Sequence, residues 1–74
     1  MTIEAQQSLA IQVNGEERQV PAGLSIAAML AELGLDPKRV AVERNLEVVP
    51  RSSLCDVRVE HGDRYEVVHF VGGG

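Results

Sequence analysis

Arg64-Tyr65-Glu66-Val67-Val68-His69-Phe70-Val71-Gly72-Gly73-Gly74 ends the 74-residue sequence, and its reading decides the rest. Residues 64–71 are the longest β-prone run in the chain, so they predict a strand, and their apolar content predicts a central place in a sheet. By alternation, Glu66, Val68 and Phe70 share one face and Tyr65, Val67 and His69 the other. Glu66 marks its face as the wet one. Val68 and Phe70 are then exposed apolar groups beside the glycines and, with Val71, form a candidate contact surface for a partner.

A strand running straight into Gly72, Gly73 and Gly74 predicts a thin tether anchored at one end by a sheet. Extended, three residues reach roughly 10 Å, enough to carry a terminal carboxylate into a narrow cleft of another protein. An α-carboxylate is ionised at neutral pH and is a poor acyl electrophile. Once joined to AMP it becomes open to attack by sulfur or nitrogen, and glycine is the least hindered acyl group for that purpose. The tail therefore predicts a carrier whose working group is on Gly74, with Gly72 and Gly73 as its stem and the catalyst elsewhere.

Working back from the tail, His61-Gly62-Asp63 reads as a turn. Residues 51–60 read as irregular, with Ser52-Ser53-Leu54 able to start a helical turn and Val57 with Val59 able to extend a strand. Val40-Ala41-Val42-Glu43-Arg44-Asn45 predicts a strand, and Glu47-Val48-Val49, cut off by Pro50, a short one after it. Ser25 is placed to cap a helix that carries Ile26, Met29, Leu30 and Leu33 on one face, with Leu24 placed to staple against Met29. Gly34 supplies its stop and Pro37 prevents resumption. At the start, Leu9, Ile11 and Val13 alternate up to Asn14-Gly15, a two-residue hairpin signal, and the returning arm through Val20 stops at Pro21.

Hairpin, helix and further strands, with the most apolar strand last and beside the first, make an α+β roll. One helix packs on one face of a mixed sheet of four to five strands. Residues 8–71 form this domain, residues 1–7 an N-terminal extension, and residues 72–74 the flexible tail.

Composition narrows the function. Hydrophobic residues are 45% and charged residues 24%, ordinary for a globular chain. A chain this short buries only about 60% of its unfolded surface, which leaves room for one domain. The net charge of -4, with seven scattered Lys and Arg, disfavours nucleic acid. Cys55 stands alone, excluding an internal disulfide or a multi-cysteine metal site and fitting a reducing compartment. Met1-Thr2-Ile3-Glu4-Ala5-Gln6-Gln7 lacks the pattern of a secretory signal, and no apolar stretch is long enough to span a membrane. A cytoplasmic location with a protein partner and no membrane is expected.

Together with that layout, Val42-Glu43-Arg44-Asn45, Val48-Val49-Pro50-Arg51, Gly62-Asp63-Arg64 and above all Val67-Val68-His69-Phe70-Val71-Gly72-Gly73-Gly74 give a sequence that resembles the ThiS sulfur carriers of the thiamine pathway, over residues 9 to 74. The resemblance implies a ubiquitin-like β-grasp fold and a carrier that is not itself an enzyme and binds no cofactor of its own. It also implies three partners. An adenylyltransferase of the ubiquitin-activating type (ThiF-like) uses ATP to adenylate Gly74, a persulfide enzyme delivers sulfur to make a thiocarboxylate, and thiazole synthase (ThiG-like) consumes it. The final Gly-Gly pair alone is shared with the molybdopterin sulfur carrier, a tRNA-thiolation carrier and ubiquitin. Those pathways and a protein modifier stay open as alternatives.

The remaining reactive side chains carry blander expectations. Nothing basic beside Cys55 activates it, so it reads as a buried or idle thiol. His61 reads as a turn residue and His69 as strand filler. Glu16, Glu17, Glu32, Glu43, Glu47, Glu60, Asp63 and Glu66 read as a solvated acidic surface, some of it able to steer the chain toward a basic partner.

Overall fold

The computed structural model describes residues 7–70; Met1 through Gln6 and Val71 through Gly74 lie outside them. Strand β1 (Ser8–Val13) turns at Asn14 and Gly15, whose φ angles of 51° and 86° are those of a type I′ turn, and returns as β2 (Glu16–Pro21). The two arms pair in register from Ser8 opposite Pro21 to Val13 opposite Glu16. Pro21 closes an edge strand, where its missing N–H is tolerated.

Helix α1 (Ile26–Glu32) starts where expected: the Ser25 hydroxyl accepts from the Ala28 N–H at 3.1 Å. Two further N–H groups of the first turn find partners in the segment 51–60, expected to be irregular. Ile26 N donates to Val57 O at 2.9 Å and Ala27 N to Leu54 O at 2.8 Å. That segment is thus a cap for the helix, built from a 3-10 turn (Arg51–Ser53) and a single bridge pairing Ser25 with Arg58. At the other end Gly34, at φ 84°, donates to Ala31 O while Leu35 N reaches Leu30 O, the paired closure that a left-handed residue permits. Pro37 does more than block the helix. With Asp36 capping Lys38 N, it opens a 3-10 turn (Pro37–Arg39) that leads into the next strand.

Strand β3 (Val40–Arg44) is one residue shorter than expected, because Asn45 and Leu46 form a second tight turn before β4 (Glu47–Val49). Strand β5 (Arg64–His69) then enters the middle of the sheet, whose order is β2-β1-β5-β3-β4. It runs parallel to β1 and antiparallel to β3.

One core forms between the sheet and α1. Ile26, Met29 and Leu30 of the helix stripe are wholly buried, Leu33 lies at its edge, and Leu24 packs at the margin of the cluster that holds Met29. From the sheet come Ile11, Val13, Val20, Val40, Val42, Tyr65 and Val67, with Leu54 and Val59 closing one end. At about 25 cal/mol per Å² of apolar area, twelve buried side chains with a single aromatic ring make a modest core for one domain.

Candidate functional site

The site begins with what holds the end of β5 still. Phe70 N donates to Arg39 O at 3.0 Å and Asn45 N to Arg64 O at 2.8 Å, so the even-numbered residues of β5 turn their backbone toward β3. The odd-numbered ones face β1. There the ladder ends early, with Gln12 opposite Arg64 and Val13 opposite Tyr65. Asn14 extends it with a side chain: its Nδ2 donates to Val67 O at 3.1 Å and its Oδ1 accepts from Val67 N at 2.8 Å. The carboxamide imitates one more residue of strand, and both backbone groups of Val67 are satisfied.

The outward face of β5 is apolar at the same end. Val68 is 62% exposed and Phe70 54%, and the Arg51 guanidinium lies 5.1 Å from the Phe70 ring centroid. The face expected to be wet is the wet one, and Tyr65 and Val67 are buried on the other. Two more apolar groups that sequence reading missed extend this surface: Leu46, 89% exposed, and Val48, 74% exposed. They share a groove of about 410 Å³ with Ala41, Glu43, Glu66 and Val68. The signal for Leu46, a two-residue link between strands, emerges only once β3 ends at Arg44 instead of Asn45, and Val48 shares the outward face of β4 with no turn to mark it. Of the expected site residues, Val68 and Phe70 come together here; Val71, Gly72, Gly73 and Gly74 lie outside the described residues.

Asp63 departs from the solvated acidic surface. It is buried, and its carboxylate accepts from Tyr65 Oη (2.7 Å), Arg44 Nε (2.9 Å), Glu60 N (2.9 Å) and Asn45 Nδ2 (3.2 Å). Burial alone would raise its pKa, but these donors together outweigh burial and hold the carboxyl below its ordinary range. The same contact raises the Arg44 pKa, chiefly through the hydrogen bond to Asp63, while burial and then Asp63 push the Tyr65 phenol up. A charge at this position is tolerated because Oδ2 accepts from three donors, one of them the Arg44 guanidinium, and Oδ1 from a fourth. The cluster ties the turn before β5 to the turn after β3.

The other titratable groups are peripheral. His61 sits in its turn and accepts the Ala10 N–H on Nδ1 at 3.1 Å, His69 is exposed, and Cys55 is an exposed free thiol. Among the described residues no group of three His, Cys, Asp or Glu could hold a metal, and no helix is long and apolar enough to cross a membrane. What the site offers is a strand end pinned on both sides, with an apolar face beside it.

A mixed sheet in this order, crossed on one face by one helix, is the architecture of a ubiquitin-like β-grasp domain. A protein designed on the template of human erythrocytic ubiquitin shares it at a TM-score of 0.52 and 13% identity, a likeness of fold alone. The chain belongs to the ThiS family, whose model matches residues 11–74. The crystal structure of the thiamine biosynthesis protein ThiS from Geobacter metallireducens superposes with a TM-score of 0.74 at 32% identity, over 89% of this chain and 100% of that one. The sulfur carrier protein ThiS of Bacillus subtilis is 42% identical over 50 residues, 68% of this chain and 76% of its own length. A thiazole synthase of Paramagnetospirillum magneticum is 55% identical over 62 residues, which are 84% of this chain and 19% of that protein. The chain spans about a fifth of the length of this curated relative.

Proposed function

We propose that this chain is a sulfur carrier of thiamine biosynthesis, loaded at Gly74. The observation that carries the reading is the anchorage of β5. The strand lies in mid-sheet, clamped at Val67 by Asn14 and at Phe70 by Arg39, four residues before Gly74. Family membership and the name of the Bacillus subtilis relative support the sulfur chemistry.

In this cycle an adenylyltransferase binds ATP and the carrier together. A Gly74 carboxylate oxygen attacks the α-phosphorus, pyrophosphate leaves, and the resulting acyl-adenylate is open to a sulfur nucleophile, which displaces AMP. That nucleophile is the terminal sulfur of an enzyme persulfide; the acyl disulfide it forms is cleaved by a thiol, which is oxidised to a disulfide with the enzyme's sulfur and releases the carrier as a thiocarboxylate. The acceptor is thiazole synthase, a partner suggested by the relative of that name in which a closely similar sequence makes up a fifth of the chain. Val68 and Phe70, with Val71, are the docking face for the activating enzyme, and Gly72 and Gly73 let the terminus pass into its cleft. The carrier binds no cofactor of its own.

The experiment is isotope exchange between ATP and pyrophosphate, catalysed by the cognate adenylyltransferase. Exchange that requires this chain and disappears on deletion of Gly73 and Gly74 supports the proposal; exchange unaffected by the deletion overturns it.

A further inference from the structure

Two features of the outer sheet face are unfavourable in the free chain, and they meet in one groove. The first is Leu46. Its φ of 73° is left-handed, the region that a Cβ crowds and that glycine occupies without strain. The same chain solves the same turn with glycine at Asn14-Gly15, where φ is 86°. Leu46 earns nothing from packing within the chain, because 89% of it is exposed.

Its conformation is enforced by the neighbouring Asn45, which is held at three points. Asn45 N donates to Arg64 O, its Oδ1 accepts from Arg64 N at 3.0 Å, and its Nδ2 donates to Asp63 Oδ1. Asp63 is fixed in turn by Arg44 and Tyr65. Leu46 is thereby a rigid apolar knob on a turn that cannot easily relax.

The second feature is a pair of like charges. Glu43 on β3 and Glu66 on β5 stand directly opposite each other on the exposed face, where two carboxylates repel. Neither forms an ion pair among the described residues. Ala41, Leu46, Val48 and Val68 line the groove with these two carboxylates.

We propose that Leu46 is the docking anchor for thiazole synthase, seated with Val48 and Val68 against an apolar patch of that enzyme that is flanked by Lys or Arg side chains reaching Glu43 and Glu66. This rests on the sulfur-carrier reading and deepens it by assigning the partner's contact. The choice of occupant follows from the thiazole synthase that contains a 55% identical segment, where the two bodies belong to one chain. The charge of the groove sets the chemistry of the matching surface. Leu46 lies near the start of β5, beside Arg64, and Phe70 just past its end, so the anchor stands roughly six residues of strand, about 20 Å, from Phe70, which the tail follows in sequence. One partner surface can hold the anchor while receiving the tail.

The test uses this chain with the thiazole synthase of the organism that makes it, and the variants Leu46→Gly and Leu46→Asn, both suited to left-handed φ. The expected result is opposite signs: Leu46→Gly unfolds at a higher temperature than the parent yet binds thiazole synthase at least tenfold more weakly. Leu46→Asn weakens binding likewise while keeping the fold. Parent binding should also weaken as salt rises, and less so in Glu66→Gln. Equal binding by parent and both Leu46 variants overturns the anchor while leaving the carrier reading standing. Failure of the parent itself to bind thiazole synthase overturns both.

Discussion

The Tyr65 hydroxyl donates a 2.7 Å hydrogen bond to Asp63 Oδ2, joining two residues on either side of the entry to β5. The ring of Tyr65 fills the core and its oxygen reaches the one buried carboxylate among the described residues, so apolar packing and the polar cluster are fastened to each other. Arg44 closes the cluster from β3 and also approaches Glu60 at 3.8 Å. The last strand enters the sheet in a single register because a shift would empty these contacts.

Replacing Asp63 by Asn leaves Arg44 with only the 3.8 Å contact to Glu60 as counter-charge and aims an amide at four donors, at an expected cost of about 3 kcal/mol by urea unfolding near neutral pH. The pH dependence has a definite sign. Asp63 has a lowered pKa in the fold, so its stabilisation is complete above the unfolded carboxyl value of about 3.9 and fades as pH falls toward the folded one. The gap between parent and Asp63→Asn should narrow below about pH 4. Tyr65 acts at the other limb: its raised pKa gives stability that is whole below about pH 10 and is lost as pH rises beyond it.

Asn14→Gly keeps the left-handed turn and removes only the carboxamide that continues the β1 ladder onto Val67. The expected loss is about 1–2 kcal/mol, with faster amide hydrogen exchange at Val67 than at the β3-bonded Val68. Equal protection of both amides in the variant would contradict the clamp.

Much of this could be read from residues alone. The hairpin at Asn14-Gly15, the capped and glycine-stopped helix and the central last strand follow from local patterns that each have one physical solution. The segment 51–60 did not, because its structure is dictated by distant donors, the free N–H groups of Ile26 and Ala27. Asp63 was misread for a similar reason. A carboxylate beside a turn glycine ordinarily faces water, and its burial depends on Arg44 and Asn45, eighteen or more residues away. At the candidate site, Val68 and Phe70 were found by alternation from Glu66, whereas Leu46 was hidden because its exposure comes from backbone conformation and not from periodicity.

Val68→Asp places a charge on an exposed apolar position, so thermal stability should shift little while adenylation slows at least tenfold, seen as a raised KM for the carrier. Phe70→Ala should act in the same direction and also release Arg51 from the ring. Unchanged KM in both variants would move the docking face elsewhere.

The most direct test of the account is the intact mass of the chain after incubation with ATP, its adenylyltransferase and a persulfide sulfur source. Exchange of one oxygen for sulfur at Gly74 predicts a gain of about 16 mass units, absent when Gly73 and Gly74 are deleted. A chain that stays at its original mass under conditions that load another ThiS, or that appears instead in heavier conjugates with other proteins, would contradict it.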